Sequence, residues 1–328
     1  MASAEEISGD AGRPQLFDDA PPGPTTLVVT ELPSLGGGAL TAPRVHVFAA
    51  GERPQWRRAA IELSQDAGLS FAFAGAVNVP CIMGQLRADL PAGQTASWDH
   101  HSVIDVELLN EEMWIEPASP GAVLQGANLA LVGGELVQFA DVEPTGPGRF
   151  RLRRLLRGRY GTEAAAGGHL AGQSFVMVQP ASPLMLDLPL DAVGRGYALR
   201  AAGAGDDGTL TTPLTVAGRS LRPLSPAHLR LRRAGDDVLA SWVRRSRAGF
   251  AWLDFADAPL GEERELYEVV VRVDGTERRR IEQAGATYIY AAADRLADGG
   301  GALVEIEVVQ ISASVGPGDR LAAAIMLG

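Results

Sequence analysis

The chain has 328 residues, 46% of them hydrophobic and 21% charged, with 39 Gly and 21 Pro. That length can bury two or three cores, and the balance of apolar and charged residues excludes wholesale disorder. A formal net charge of -11 and a pI near 5.0 exclude a general nucleic-acid binder, because nothing supplies a broad basic face.

Every basic side chain other than histidine is arginine. GC-rich coding or a demand for bidentate guanidinium contacts would each produce that bias. Residues 1–25, small and polar and then Pro-rich (DDAPPGPTT), read as a mobile leader and linker. No run of ~18 apolar residues and no basic-then-apolar leader occurs, so membrane insertion is not expected and the chain is expected to be made in the cytoplasm. The single cysteine, Cys81 in VNVPCIMG, reads as a buried small hydrophobe with no disulfide partner.

Residues 26–84 read as an N-terminal β unit. Leu27 to Thr30 and Val45 to Gly51 are strand-like runs, and the alternation of Ala60, Glu62 and Ser64 against Ile61 and Leu63 fits a strand better than a helix, although WRRAAIELSQ alone could be a short helix. Residues 85–180 read as a second β domain. Leu129 to Val132 and Leu136 to Phe139 flank Gly133 and Gly134 as a hairpin. After the TGPG turn comes an arginine-dense strand ending in LLRGRYGTE (Leu155 to Glu163). Residues 181–223 read as a linker and strand segment.

Residues 224–328 read as a β-sandwich. Val238, Ala240 and Trp242 share one strand face, and so do Tyr267, Val269, Val271 and Val273. Asp274-Gly275 is a hairpin signal. Trp242 and Tyr267 are the expected structural core. The fold class is therefore mainly β and multi-domain, with antiparallel β units followed by the sandwich.

Chemistry-bearing patterns are sparse. Asp99, His100, His101 and Asp105 lie close in sequence, but adjacent histidines on a strand point to opposite faces, so the cluster reads as a polar turn. His169 and His228 stand alone, and no ligand role is expected of either. The carboxylates of GEERE (Gly261 to Glu265) read as a solvated face. No HExxH, GxSxG, CxxC, Walker A or dinucleotide fingerprint is present, so neither catalysis nor a metal or other cofactor is expected.

Arginine is the more suggestive pattern. Arg151, Arg153, Arg157 and Arg159 crowd one hairpin with Arg149, and Arg244 and Arg245 follow Trp242. An interface or anion-binding role and internal pairing with Asp and Glu are the two readings. Alternation puts Arg149, Arg151 and Arg153 on one face, and Glu135, Asp141 and Glu143 on the facing arm are the expected counter-charges.

The strings LLRGRYGTE, GRSLRPLSPAHLRL, SWVRRSRAGFAWLD and PLGEERELYEV, in that order, resemble the C-terminal end of the tail-tip (host-specificity, or baseplate hub) proteins of siphophage-like particles. The resemblance is closest to the gene transfer agents of alphaproteobacteria. It covers nearly all of the chain after the leader and implies the C-terminal portion of a longer polypeptide, or a separately encoded one. The last unit resembles a fibronectin type III domain, with Val304 standing where that family has its corner tyrosine.

What the resemblance implies is a non-enzymatic component of a virion or gene transfer agent tail tip. Its expected partners are other tail-tip proteins and a recipient cell-surface glycan or protein. It is expected to be oligomeric, a trimer being one arrangement. A carbohydrate-binding or carbohydrate-active accessory module is the alternative, separated from the first reading by release of sugar ends that one carboxylate substitution abolishes.

Overall fold

The computed structural model describes residues 22–35, 38–206, 208, 210–248 and 259–327. Most of the leader, the glycines Gly36 and Gly37, and the end of SWVRRSRAGFAWLD from position 249 onward, including Trp252, lie outside the described residues. Of the described residues, 49% are in strands and 8% in helices. Every pairing between its strands is antiparallel, as expected of hairpin-rich sequence with Gly-bearing turns.

Four strands come first: β1 (Thr25–Glu31), β2 (Arg44–Gly51), β3 (Ala59–Ser64) and β4 (Ala72–Val77). The middle of the chain holds β5 (Met83–Leu86), β6 (Leu90–Pro91), β7 (Ile104–Leu108), the short helix α1 (Pro120–Leu124), β8 (Leu129–Val132), β9 (Glu135–Gly146), β10 (Arg149–Leu156), β11 (Gly168–His169) and β12 (Ser174–Met177). Then follow β13 (Leu184–Asp187), β14 (Gly196–Gly203) and β15 (Leu210–Thr215). The last region contains β16 (Ala227–Ala234), β17 (Asp237–Val243), β18 (Leu266–Val273), β19 (Thr276–Ala284), β20 (Thr287–Tyr290), the helix α2 (Ala292–Ala297), β21 (Leu303–Ser312) and β22 (Gly316–Met326).

The middle strands close into a six-stranded barrel in the order β10-β7-β5-β12-β8-β9. Closure leaves these short strands no open edge. Alternation directs the filling: on β7, Ile104, Val106 and Leu108 are buried while Asp105 and Glu107 face outward. On β10, Phe150 and Leu152 are buried between exposed arginines.

Two sheets flank the barrel in sequence, β1-β2-β13 and β15-β14-β3-β4. β1 lies alongside β15 and β13 alongside β4, so the seven strands wrap one apolar interior that includes Val47, Ala49, Ile61 and Leu199. The N-terminal β unit at 26–84 and the linker and strand segment at 181–223 thus share their sheets. β13 pairs with β2, and β14 pairs with β3. A sheet made only of residues before position 84 would leave the inner side of β3 and an edge of β2 unpaired, and the segment after the barrel supplies both.

The strands from β16 onward form a sandwich of β16-β17-β20 against β19-β18-β21-β22. Its core contains Val238, Ala240 and Trp242 from one sheet and Tyr267, Val269, Val271, Val304 and Ile306 from the other. Trp242 meets Tyr267 edge to face, with ring centroids 5.2 Å apart. Asp274 and Gly275 both carry positive φ, 49° and 80°, which closes the two-residue turn between β18 and β19.

Candidate functional site

The arginine block occupies two different environments. On the outer barrel face, Arg149, Arg151 and Arg153 sit between acidic neighbours on both adjoining strands. Arg149 pairs with Glu107 at 2.9 Å, Arg151 with Asp105 at 3.5 Å, and Arg153 with Glu143 at 3.8 Å. Glu107 and Asp105 stand opposite Arg149 and Arg151 on β7, while Glu143 and Asp141 stand opposite Arg151 and Arg153 on β9. The expectation of internal counter-charges holds for Glu143 and needs two additions, Asp105 and Glu107; Asp141 faces Arg153 across the strands but pairs with Arg154. Asp105 and Glu107 alternate on β7 with the buried Ile104, Val106 and Leu108.

Alternation breaks at Arg154, whose φ is 52°. Beyond it Leu155 and Leu156 are both buried, although β10 and β9 keep one register across the break, with Arg153 opposite Asp141 and Leu155 opposite Phe139. Arg154 points back to Asp141, its Nε 2.7 Å from Oδ2. Beyond it the chain turns inward.

Arg157 and Glu135 are fully buried, each side chain 0% exposed. The guanidinium grips the carboxylate through Nε and Nη2, both at 2.8 Å. The Gly158 amide donates to the same carboxylate at 2.7 Å, and His169 Nε2 donates to it at 2.8 Å. Gln173 faces the other ring nitrogen at 2.9 Å. Burial alone would raise the Glu135 pKa, but the hydrogen bonds from His169, Arg157 and Gly158 and the guanidinium charge outweigh it and hold the carboxyl below its ordinary value.

Arg157 as an interface or anion-binding residue, Glu135 as a counter-charge to the exposed row, and His169 as a residue standing alone are corrected together. The strand carries Arg157 into the barrel end, where solvent and external ligands cannot reach it.

The remaining residues of LLRGRYGTE serve the same construction. Gly158 and Gly161 have φ of 62° and 86°, a region that glycine enters without strain. A Cβ on Gly158 would lie 2.8 Å from the Glu163 backbone, and one on Gly161 would lie 2.6 Å from Leu224. Arg159 Nε donates to Gln138 at 2.7 Å. Thr162 accepts the Leu136 amide at 2.9 Å and donates to the Arg159 carbonyl at 2.8 Å. Arg159 is thus half-buried and bound within the barrel.

The other conspicuous strings lie where the three units meet. Gly218 donates its amide to buried Glu31 at 3.0 Å, and Ser220 accepts the Arg44 amide at 3.0 Å. Leu221 and Leu224 are buried. Arg245 reaches from the sandwich to Glu163 of the barrel at 2.7 Å. Arg244 donates to the Pro259 carbonyl at 3.2 Å. Arg247 pairs with Glu262 at 2.7 Å and donates to the Leu40 carbonyl at 3.0 Å. No local signal connects position 245 to 163 or 247 to 40, so these partners are set by the tertiary fold alone.

Cys81 is buried, and burial pushes its thiol up to about 11, so a thiolate is scarce at neutral pH. Among the described residues no group of three or more His, Cys, Asp or Glu side chains is placed to hold a metal ion. Among them, too, no helix is long and apolar enough to cross a membrane. What the arrangement does show is that the sandwich is tied to the other units by directional, half-buried contacts from Arg245 and Arg247.

No curated protein matches the chain. Among solved structures, a marsupial T cell receptor aligns over 93% of this chain and 97% of its own at 11% identity, but with a TM-score of 0.17 it carries no structural argument. A family described as Rcc01698-like, C-terminal, matches residues 81–176, which coincide with the closed barrel and contain both Glu135 and the LLRGRYGTE block.

Proposed function

We propose that this protein is a non-enzymatic structural component of the tail tip of a phage-like particle, of the gene transfer agent kind. In that role it helps assemble the tip and meets the recipient cell surface. The observation that carries the reading is the family match over the barrel, a family linked to gene transfer agents. It covers the element in which the recurrent LLRGRYGTE string does its structural work.

Two further features support it. The strings that resemble tail-tip proteins are the ones that bolt the units together. That is the expected place for sequence constrained by assembly rather than by turnover. The terminal sandwich has three strands facing four, in the order β16-β17-β20 and β19-β18-β21-β22. That order supports reading it as a fibronectin type III-like domain, a common spacer and adhesive module.

The partners in this reading are other tail-tip proteins, in an oligomer such as a trimer, and a glycan or protein of the recipient surface. Nucleic acid and the membrane interior are not among them. The test is direct. An epitope-tagged chain should co-purify with particles and be labelled by immunogold at the end of the tail distal to the head. Its absence from purified particles would overturn the proposal. Reproducible release of reducing ends from peptidoglycan or capsule by the purified chain would overturn the non-enzymatic part alone.

A further inference from the structure

The two outer faces of the terminal sandwich treat arginine differently. On the four-stranded sheet Arg272 reaches Glu307 at 3.0 Å, Arg280 reaches Glu277 at 2.9 Å, and Arg320 pairs with Glu307. On the three-stranded sheet Leu229 and Leu231 of β16 pack on the core, so Arg230 and Arg232 project outward. Both are exposed, and neither has a counter-charge among the described residues. Arg232 stands opposite Leu239 of β17, which stands opposite Ile289 of β20, 57% exposed. Two guanidinium groups about 7 Å apart along one strand thus border an aliphatic strip.

The barrel carries the complement. In the loop after β7, Met113 and Ile115 are buried, which turns Glu112, Trp114 and Glu116 outward at the same two-residue spacing. Trp114 is 50% exposed and meets Phe150 edge to face, with ring centroids 5.1 Å apart. Asn110 Oδ1 accepts the amides of Glu112 and Met113, each at 3.2 Å, and so fixes the loop. Glu112 and Glu116 are exposed, and their carboxylates have no cation beside them among the described residues.

The two patches therefore match in charge, in spacing and in apolar content, and they do not pair within one chain. A guanidinium forks a carboxylate through two parallel bonds and stacks on an indole face. Arg and Trp are also the side chains that most often anchor protein interfaces.

We propose that the Arg230–Arg232 face of one copy of this chain docks on the Glu112–Trp114–Glu116 face of a second copy. The guanidiniums meet the carboxylates, and the indole lies against Leu239 and Ile289. Different faces of the two copies are used, so the contact is heterologous and builds a ring where the rotation closes. This assigns a contact to the oligomer named under the proposed function, and rests on that reading only for its place in a particle.

The test is sedimentation velocity of the full chain over a range of concentrations. Self-association is expected, weakening as salt is raised. Arg230→Glu with Arg232→Glu should weaken it by about tenfold or more, and so should Glu112→Arg with Glu116→Arg. All four side chains are exposed, so thermal melts of both variants should match the parent. Each variant alone carries like charges on its two faces. A mixture of the two has opposite charges at the contact and should regain association. Trp114→Ala should weaken association with the net charge unchanged.

A parent chain that stays monomeric throughout the range overturns the proposal, as does a mixture that fails to associate or a variant that associates like the parent. Polygalacturonate bound by a monomeric parent, and lost on reversing the two arginines, would assign the face to an acidic glycan instead. Self-association of a chain absent from particles would break only the tail-tip reading, and a monomeric chain present in particles only this one.

Discussion

The outer barrel face and the barrel end use the same residue type to opposite effect. Arg149, Arg151 and Arg153 are roughly half exposed, and their carboxylate partners lie at 2.9 to 3.8 Å. Water can replace any of these contacts, and pairs of this kind are worth about 0–1 kcal/mol each. Arg157, four residues beyond Arg153, has no water available, and every charge-bearing atom of Glu135 is matched by a donor. Its net contribution against an apolar replacement is small, but removing one partner strands a buried charge. The comparison teaches that the position of a charge along one strand decides whether it is replaceable.

The sharpest way to break the comparison is Glu135→Ala, which leaves Arg157 buried and unpaired. A loss of about 3–5 kcal/mol is expected, read as a lower urea midpoint. A value below ~1 kcal/mol would mean that the barrel end opens to water.

A second test uses acid. The His46 pKa is pushed down to about 4, below the ~6.5 of the unfolded chain. The unfolded state therefore takes up a proton first. The stabilisation is complete above pH ~6.5 and declines as pH falls towards 4, by on the order of 3 kcal/mol. Glu135 is held below its ordinary value, so its contribution is likewise present at neutral pH and is lost as acid titrates the folded carboxyl. Unfolding free energies measured from pH 7 to 4.5 should fall, and His46→Phe should flatten the upper part of that fall. A flat profile for the parent chain would contradict this account of His46.

Gly93→Ala probes the barrel end without removing a charge. The new methyl would lie 2.6 Å from Arg157 Nη1 and 2.8 Å from Asp99 Oδ2. A cost of about 1–3 kcal/mol is expected from overpacking, readable by thermal melting. The smallest effect belongs to Arg151→Ala, at about 0–1 kcal/mol and diminishing in salt. The double reversal of Arg151 and Arg153 to Glu places like charges beside Asp105, Asp141 and Glu143. It should impair folding or particle assembly before it affects attachment to cells. Normal assembly with lost attachment would make the row a receptor site.

Much of this architecture was legible in the residues. Strand alternation identified the buried face of β10, the shared face of Trp242 with Val238 and Ala240, and the Asp274-Gly275 turn, because each depends on neighbours within a few positions. The arginine block was equally visible as a pattern. What alternation could not reveal was the inward turn after Arg154, where Leu155 and Leu156 are both buried although the pairing with β9 keeps one register.

Tertiary structure alone decided the rest. Glu135 and Arg157 are 22 residues apart, and His169 is 34 residues from Glu135, so their union waits on barrel closure. The same holds for β13 and β14, whose partners β2 and β3 precede the barrel. Local sequence determines which side of a strand is apolar. Which strand lies beside it, and whether a charge ends in water or in the core, depends on the order in which distant strands pair.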